Sequence, residues 1–263
     1  MRIWAPNADD AARGMLAACE GIARGRAGAW RASRPGLLAL MSTLPGRPYN
    51  GLYGFDATAT PEDASALAVG LAESGVSWCA RLRPGIPAVV DEALADAGLF
   101  AEDEALLMAT SQGVYELEGS KPPELTLRAR LPGDDLAIIE VLGAAFGTPP
   151  SSAAKLLDPK HLACEGIQWH IGEVRGVPVT CAMSVLAGSA VGLFAVGTVP
   201  EARGLGYGSA VTSRAVVHGR AAGARFGVLT ASPEVQGVYE RLGFRVLESW
   251  RRLVPLPGAV NGA

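Results

Sequence analysis

Lysine is scarce in this chain: there are three in 263 residues, Lys121, Lys155 and Lys160. With a formal net charge of −3 and no basic block, the sequence lacks the electrostatic footprint of a general nucleic-acid binder, so no nucleic-acid partner is expected. Cysteine is sparse as well. Cys19, Cys79, Cys164 and Cys181 stand at long spacings, without a CxxC pair or a neighbouring histidine. That pattern points to buried thiols in a reducing compartment and to no metal site. Long apolar runs are also missing. Val185 to Val199 is fifteen residues without charge, but it contains three glycines and falls short of the roughly 20 residues a membrane span needs. Gly188-Ser189 in its middle reads as a hairpin turn between buried strands. The opening MRIWAPNADD places acids where an export signal would be apolar, so a cytoplasmic location with no membrane partner is expected.

What is present is a globular composition, 49% hydrophobic and 19% charged, long enough for two domains of about 130 residues. In the first half, Pro61 to Ser74 opens with proline and acids and then repeats apolar residues at helical spacing. A strand is expected over 76–82, a helix from Val89 to Ala97 stopped by Gly98, a strand over 105–109, and a weaker strand pair over 37–41 and 52–55. The double proline after Ser120-Lys121 marks a boundary, giving domains 1–123 and 124–263 with formal charges of −5 and +2. The second half offers a strand over 125–130. Asp134-Asp135 then caps an amphipathic helix that buries Leu136, Ile138, Ile139, Leu142 and Phe146. Strands are expected over 168–173, 178–186, 190–198, 226–230 and 244–253, with helices over 209–222 and 233–242. The fold class is α/β, of the α+β kind: mixed, mostly antiparallel sheets flanked by helices.

Between the third and fourth of those strands lies Arg203-Gly204-Leu205-Gly206-Tyr207-Gly208. Alternating glycines let backbone N–H groups approach an anion closely, and the helix that follows adds its positive end. No Lys-Ser or Lys-Thr follows, which excludes a nucleoside-triphosphate loop, and no acid stands about 20 residues downstream, which disfavours a dinucleotide site.

TVPEARGLGYG followed by LTASPEVQGVYERLGF resembles the acetyl-CoA-binding core of the GCN5-related N-acetyltransferase (GNAT) family. The family signature is Arg or Gln, two residues, Gly, one residue, then Gly or Ala, and Arg203 to Gly208 satisfies it. Ser232, Tyr239 and Gly243-Phe244 match the downstream signature. The resemblance spans roughly Gln168 to Trp250. It implies acetyl-CoA as co-substrate, with the pyrophosphate held by Arg203, Gly204, Leu205, Gly206, Tyr207, Gly208 and Ser209. The pantetheine arm would lie along the backbone of Val196, Gly197 and Thr198, with Ser232 where many relatives have an asparagine. It implies direct attack of a primary amine on the thioester, with Tyr239 as the acid for the departing thiolate. It leaves the base open among Glu173, His170 and Glu165, with His161 and His218 less well placed.

The first half repeats strand, proline turn, helix, Gly-aromatic and strand, but Leu94 stands where Tyr239 does and no Arg-x-x-Gly-x-Gly precedes its helix. That suggests two tandem GNAT-like domains with a degenerate first copy. The acceptor is a small-molecule or peptide amine whose identity the motif does not specify. A homodimer is compatible with the sequence. A longer acyl donor, or a non-catalytic acyl-CoA sensor, is the alternative function.

Overall fold

The structure, a computed structural model, describes residues 5–110 and 122–256; Ser120-Lys121 of the expected boundary lie outside the described residues. Asn7 opens helix α1 (Ala8–Ala23) with a capping box: its side chain accepts from the Asp10 amide at 2.8 Å, and the Asp10 carboxylate accepts from the Asn7 amide at 3.3 Å. The sequence expectations include no helix here, although Ala11, Met15, Ala18, Cys19 and Ile22 recur at helical spacing; much of the buried face is small: Ala11, Ala12, Gly14, Ala18 and Cys19. That smallness has a use. A Cβ on Gly14 would lie 2.7 Å from the Ala190 Cβ, and one on Gly192 would lie 2.4 Å from the Ala18 Cβ, so the helix backbone sits very close to the sheet.

The first half continues with β1 (Trp30–Arg34), β2 (Leu37–Met41), β3 (Gly51–Gly54), α2 (Pro61–Ala72), β4 (Cys79–Leu82), α3 (Ala88–Asp96), β5 (Leu99–Ala101) and β6 (Ala105–Thr110). The second half contains β7 (Leu125–Ala129), α4 (Asp135–Phe146), α5 (Pro150–Leu156), α6 (Pro159–Leu162), β8 (Ile167–Val174), β9 (Val177–Ala187), β10 (Ala190–Thr198), α7 (Tyr207–Ala221), β11 (Phe226–Ala231), α8 (Gln236–Glu240) and β12 (Arg245–Pro255). The expected strands and the helices at 61–74, 89–97 and 209–222 are present within a few residues. The expected helix over 233–242 is shorter: a 3-10 turn at Pro233–Val235 precedes α8.

Two expectations for α4 are corrected. Ile138, Val141 and Leu142 are buried, but Leu136 is 65% exposed and Phe146 is 56% exposed. Leu136 lies two residues, about 200° of helix, from Ile138 and so faces out. Phe146 ends the helix and touches Gly197 with one ring edge while the rest stays open. Nor does Asp134 cap the helix with its side chain. Its carboxylate is taken by Arg128, at 2.5 and 2.9 Å, and by the Leu131 amide at 2.6 Å.

The strands form one twelve-stranded sheet in the order β1-β2-β3-β4-β12-β6-β11-β10-β9-β8-β7, with β5 also on β12. Two adjacent pairs, β3–β4 and β10–β11, are parallel and the rest are antiparallel. The halves interleave at the centre. β6 of the first half runs between β11 and β12, pairing Ala231 through Gly227 on one side and Trp250 through Arg245 on the other. β12 in turn reaches β4 and β5 with Arg251 to Pro255. Side chains alternate across the sheet: Ala105, Leu107 and Ala109 join the core under α1 and α4, whereas Leu106 and Met108 join the core under α7. On that second face α2 and α3 cover Leu37, Ala39, Met41 and Leu52. Arg83 braces the junction: it forks onto Glu248 at 2.9 and 2.8 Å and reaches Asp9 of α1 at 2.6 Å. Among the described residues no helix is long and apolar enough to cross a membrane.

Candidate active site

β10 and β11 start as neighbours and then part. Pairing joins Ala190–Gly192 to Phe226–Val228 and stops there, while the other edge of β11 stays on β6 as far as Ala231. β10 is also bulged. Phe194 faces Met183 and Gly197 faces Cys181, so Ala195 and Val196 together oppose the single residue Ala182, with Ala195 at φ 50°. A bulge bends its strand away from the neighbour and re-aims the backbone. Among the described residues the β11-facing groups of β10 beyond Gly192 therefore have no strand partner, and a wedge opens in the sheet.

At the end of the wedge the chain forms a 3-10 turn, Pro200–Ala202, and passes through Arg203, extended at φ −70° and ψ 156°, into Gly204 and Gly206 at φ 78° and 82°. Those left-handed values are why glycine stands at both positions. Arg203 locks the turn: Nε donates to the Thr198 carbonyl at 3.3 Å and Nη2 to the Ala145 carbonyl at 2.9 Å. α7 starts at Tyr207 with no side-chain cap, and the first hydrogen bond at this end runs from the Ala210 amide to the Gly206 carbonyl at 3.0 Å. The amides of Tyr207, Gly208 and Ser209 thus remain available to an anion. Gly208 keeps the turn close to the strand: a Cβ there would lie 3.1 Å from Thr198 Oγ1, a tight contact. The Thr180 hydroxyl donates to the Gly197 carbonyl at 2.7 Å, so at 3.0 Å Thr198 must be the donor to Thr180. Tyr207 donates to Glu124 Oε1 at 2.7 Å, which lowers the Glu124 pKa and raises that of the phenol.

A cavity of about 460 Å³ runs from the turn to α8, lined by Val196, Thr198, Arg203, the amide-bearing turn and Tyr239. Among the described residues two arginines, Arg203 and Arg241, and no carboxylate line it. Tyr239 is half-buried and packs edge-on against Phe244, ring centroids 5.9 Å apart. Burial raises its pKa above the usual 10, so the phenol is protonated throughout the neutral range.

Of the residues singled out in the sequence, Val196, Thr198, Arg203, Gly204, Gly206, Tyr207, Gly208, Ser209 and Tyr239 come together at this cavity. Gly197 faces the opposite side, against Phe146; Leu205 is 54% exposed; Ser232 is half-buried outside the cavity wall and caps nothing with its side chain. The base candidates lie elsewhere. Glu173 is held by Arg128 at 2.5 Å in an ion pair that Asp134 shares. His170 is 1% exposed beneath α7, its Nε2 2.9 Å from Ser184 Oγ and its ring edge-on to His218 at 5.3 Å. Glu165 is exposed and His161 is buried near Arg26. Ala202, Thr212, Val235, Val238 and Arg241 join the lining without a sequence expectation. Thr212 stands four residues beyond Gly208, one helical turn along the same face, which is a usable signal.

The two buried histidines make stability depend on pH. Burial depresses His161 to about 4 and His170 to about 3. In the unfolded chain both titrate near 6.5. Above that value both states are neutral and nothing is lost. As pH falls below it the unfolded state binds protons first, so stability declines, by at most about 1.4 kcal/mol per pH unit per histidine, down to the folded values. We expect the Tm to fall between pH 7 and pH 4 and His161→Leu to flatten that fall; an equal fall in the variant would exclude His161 as a source.

No protein-family model matches the chain, and no curated protein does. Solved structures do match. A GCN5-related N-acetyltransferase from Kribbella flavida superposes with a TM-score of 0.68 at 20% identity, covering 97% of this chain and 98% of its own. A functionally unknown conserved protein from Staphylococcus epidermidis gives 0.65 at 13% identity, over 88% and 95%. A GCN5-related N-acetyltransferase from Sphaerobacter thermophilus gives 0.57 at 15% identity, over 95% and 93%. Over nearly its whole length, the chain has the fold of GCN5-related N-acetyltransferases.

Proposed function

We propose that this protein is an acetyl-CoA-dependent N-acetyltransferase acting on a primary amine, with the chemistry in the second half. The observation that carries this reading is the convergence of the bulged, splayed β10, the glycine turn and Tyr239 on one cation-lined cavity. Bound acetyl-CoA supplies an activated acyl thioester. Its pyrophosphate fits the free amides of Tyr207 to Ser209 beside Arg203 and Arg241, and its amide-rich arm fits the unpaired backbone of β10 around Val196 and Thr198.

In direct transfer a C–N bond forms to the acetyl carbon as the C–S bond breaks. The unpaired N–H groups of β10 polarise the carbonyl, the Tyr239 hydroxyl gives its proton to the departing sulfur, and the proton that the amine nitrogen sheds passes through water and restores the phenol. The first half takes no part in the chemistry. Its corresponding parallel pair, β3 and β4, stays joined from Gly51–Cys79 to Gly54–Leu82 without a wedge. Its helix α2 begins on a Thr60 cap with Pro61, not on a glycine turn. We read residues 1–123 as a degenerate copy and 124–263 as the catalytic one.

The test is a thermal shift with saturating acetyl-CoA against adenosine diphosphate as control. Ligand at 100 times its Kd adds about 2.7 kcal/mol, a rise of about 5 °C or more in a chain of this size. A shift with acetyl-CoA well above that with the nucleotide is expected; no shift would overturn the donor assignment.

A further inference from the structure

On the proposed acetyltransferase reading, we infer that the acceptor is a monoamine carried on an apolar, aromatic-sized body and that Phe146 selects it. Val196 and Thr198 face the donor cavity, while Gly197 between them faces the other side of the sheet. The donor fills the first side, so an amine must approach the carbonyl from the second. What it meets there is the C-terminal end of α4. A Cβ on Gly197 would lie 2.9 Å from Phe146 Cε2 and 3.1 Å from the Ala145 Cβ, so both side chains lie against the strand beside the bulge. Phe146 is nonetheless 56% exposed, an open aromatic face at the mouth.

Two further observations point the same way. From Val141 to Ala154 there is no charged residue, and Gly147, Pro149 and Pro150 of that stretch are exposed, so this wall offers no carboxylate to a polycation. Deeper on the same face of β10, Phe194 packs on Tyr49 of the first half with ring centroids 6.3 Å apart, both buried, so the strand beside Phe146 is backed by aromatic core and not by charge. The wall is held in place. Gly147, left-handed at φ 67°, ends α4 with its amide on the Gly143 carbonyl at 2.8 Å, and Arg203 ties the Ala145 carbonyl to the donor turn at 2.9 Å. Donor site and acceptor wall therefore share one arginine.

The experiment follows CoA release with acetyl-CoA and three primary amines: phenethylamine, propylamine and spermidine. We expect kcat/KM for phenethylamine to exceed that for spermidine by about tenfold or more. Phe146→Ala should lower the phenethylamine-to-propylamine ratio about tenfold, with Phe146→Leu in between. Preference for spermidine, or an equal loss for both monoamines in Phe146→Ala, would overturn the inference. A thermal shift with acetyl-CoA but no turnover of phenethylamine would overturn it alone, whereas no shift would remove the donor reading and this inference with it.

Discussion

Tyr239→Phe is expected to lower kcat about a hundredfold or more while leaving the Kd for acetyl-CoA within about twofold. The variant keeps the ring and its edge-on contact with Phe244 at 5.9 Å, and it deletes a hydroxyl that has no hydrogen-bond partner among the described residues. Removing an unpartnered hydroxyl strands no other polar group, so folding and donor binding should survive. What is lost is the proton for the leaving sulfur. Because burial raises the phenol pKa, the parent enzyme has this proton throughout the neutral range. Rapid-quench or steady-state kinetics with an amine acceptor, read beside acetyl-CoA titration, measures both quantities. A kcat within about threefold of the parent would mean that the acid is another group.

The second large effect concerns the halves. Residues 122–256 expressed alone are expected not to fold cooperatively, and co-expression with residues 1–110 to restore a folded, acetyl-CoA-binding complex. Without β6, β11 loses its partner over Gly227–Ala231 and β12 loses its partner over Arg245–Trp250. Without α1, Phe226, Val228 and Trp250, all at 1% exposure or less, lose much of their cover. Three such side chains returned to water cost about 1.5–3 kcal/mol each, comparable with the whole stability of a domain. The two new edges invite intermolecular pairing. Circular dichroism melts and sedimentation decide the matter: a monomeric, cooperatively melting fragment would show that the second half stands alone.

Part of this architecture is legible in the chain itself. Gly204 and Gly206 allow a backbone other residues avoid, Gly188-Ser189 announces a hairpin, and Pro61 with the acids after it a helix start, because each depends on local sterics that a few neighbouring residues settle. The motif from Arg203 to Gly208 is of the same kind, which is why the turn residues and Tyr239 converge as expected. Helix α1 is missed although its signals are local too: Asn7 with Asp10 three residues on is a capping pattern, and Ala11, Met15, Ala18, Cys19 and Ile22 recur at helical spacing. Phe146 occupies a position on an apolar stripe that points inward by pattern, yet whether a stripe position is covered depends on where the opposing strand lies.

The base candidates divide in the same way. Glu173 and His170 stand on one strand at suitable sequence positions, but alternation and register send one to the Arg128 ion pair and the other beneath α7. The donor grammar of glycines, helix start and tyrosine is written at fixed short spacings and needs no knowledge of distant contacts. Long-range packing was required to enclose β6 between β11 and β12, to open the wedge beyond Gly192, and to leave a phenylalanine exposed beside it. The first of those outcomes rests on pairings between residues more than a hundred positions apart, such as Ala109 with Val228, and no local pattern encodes which distant edge a strand will join.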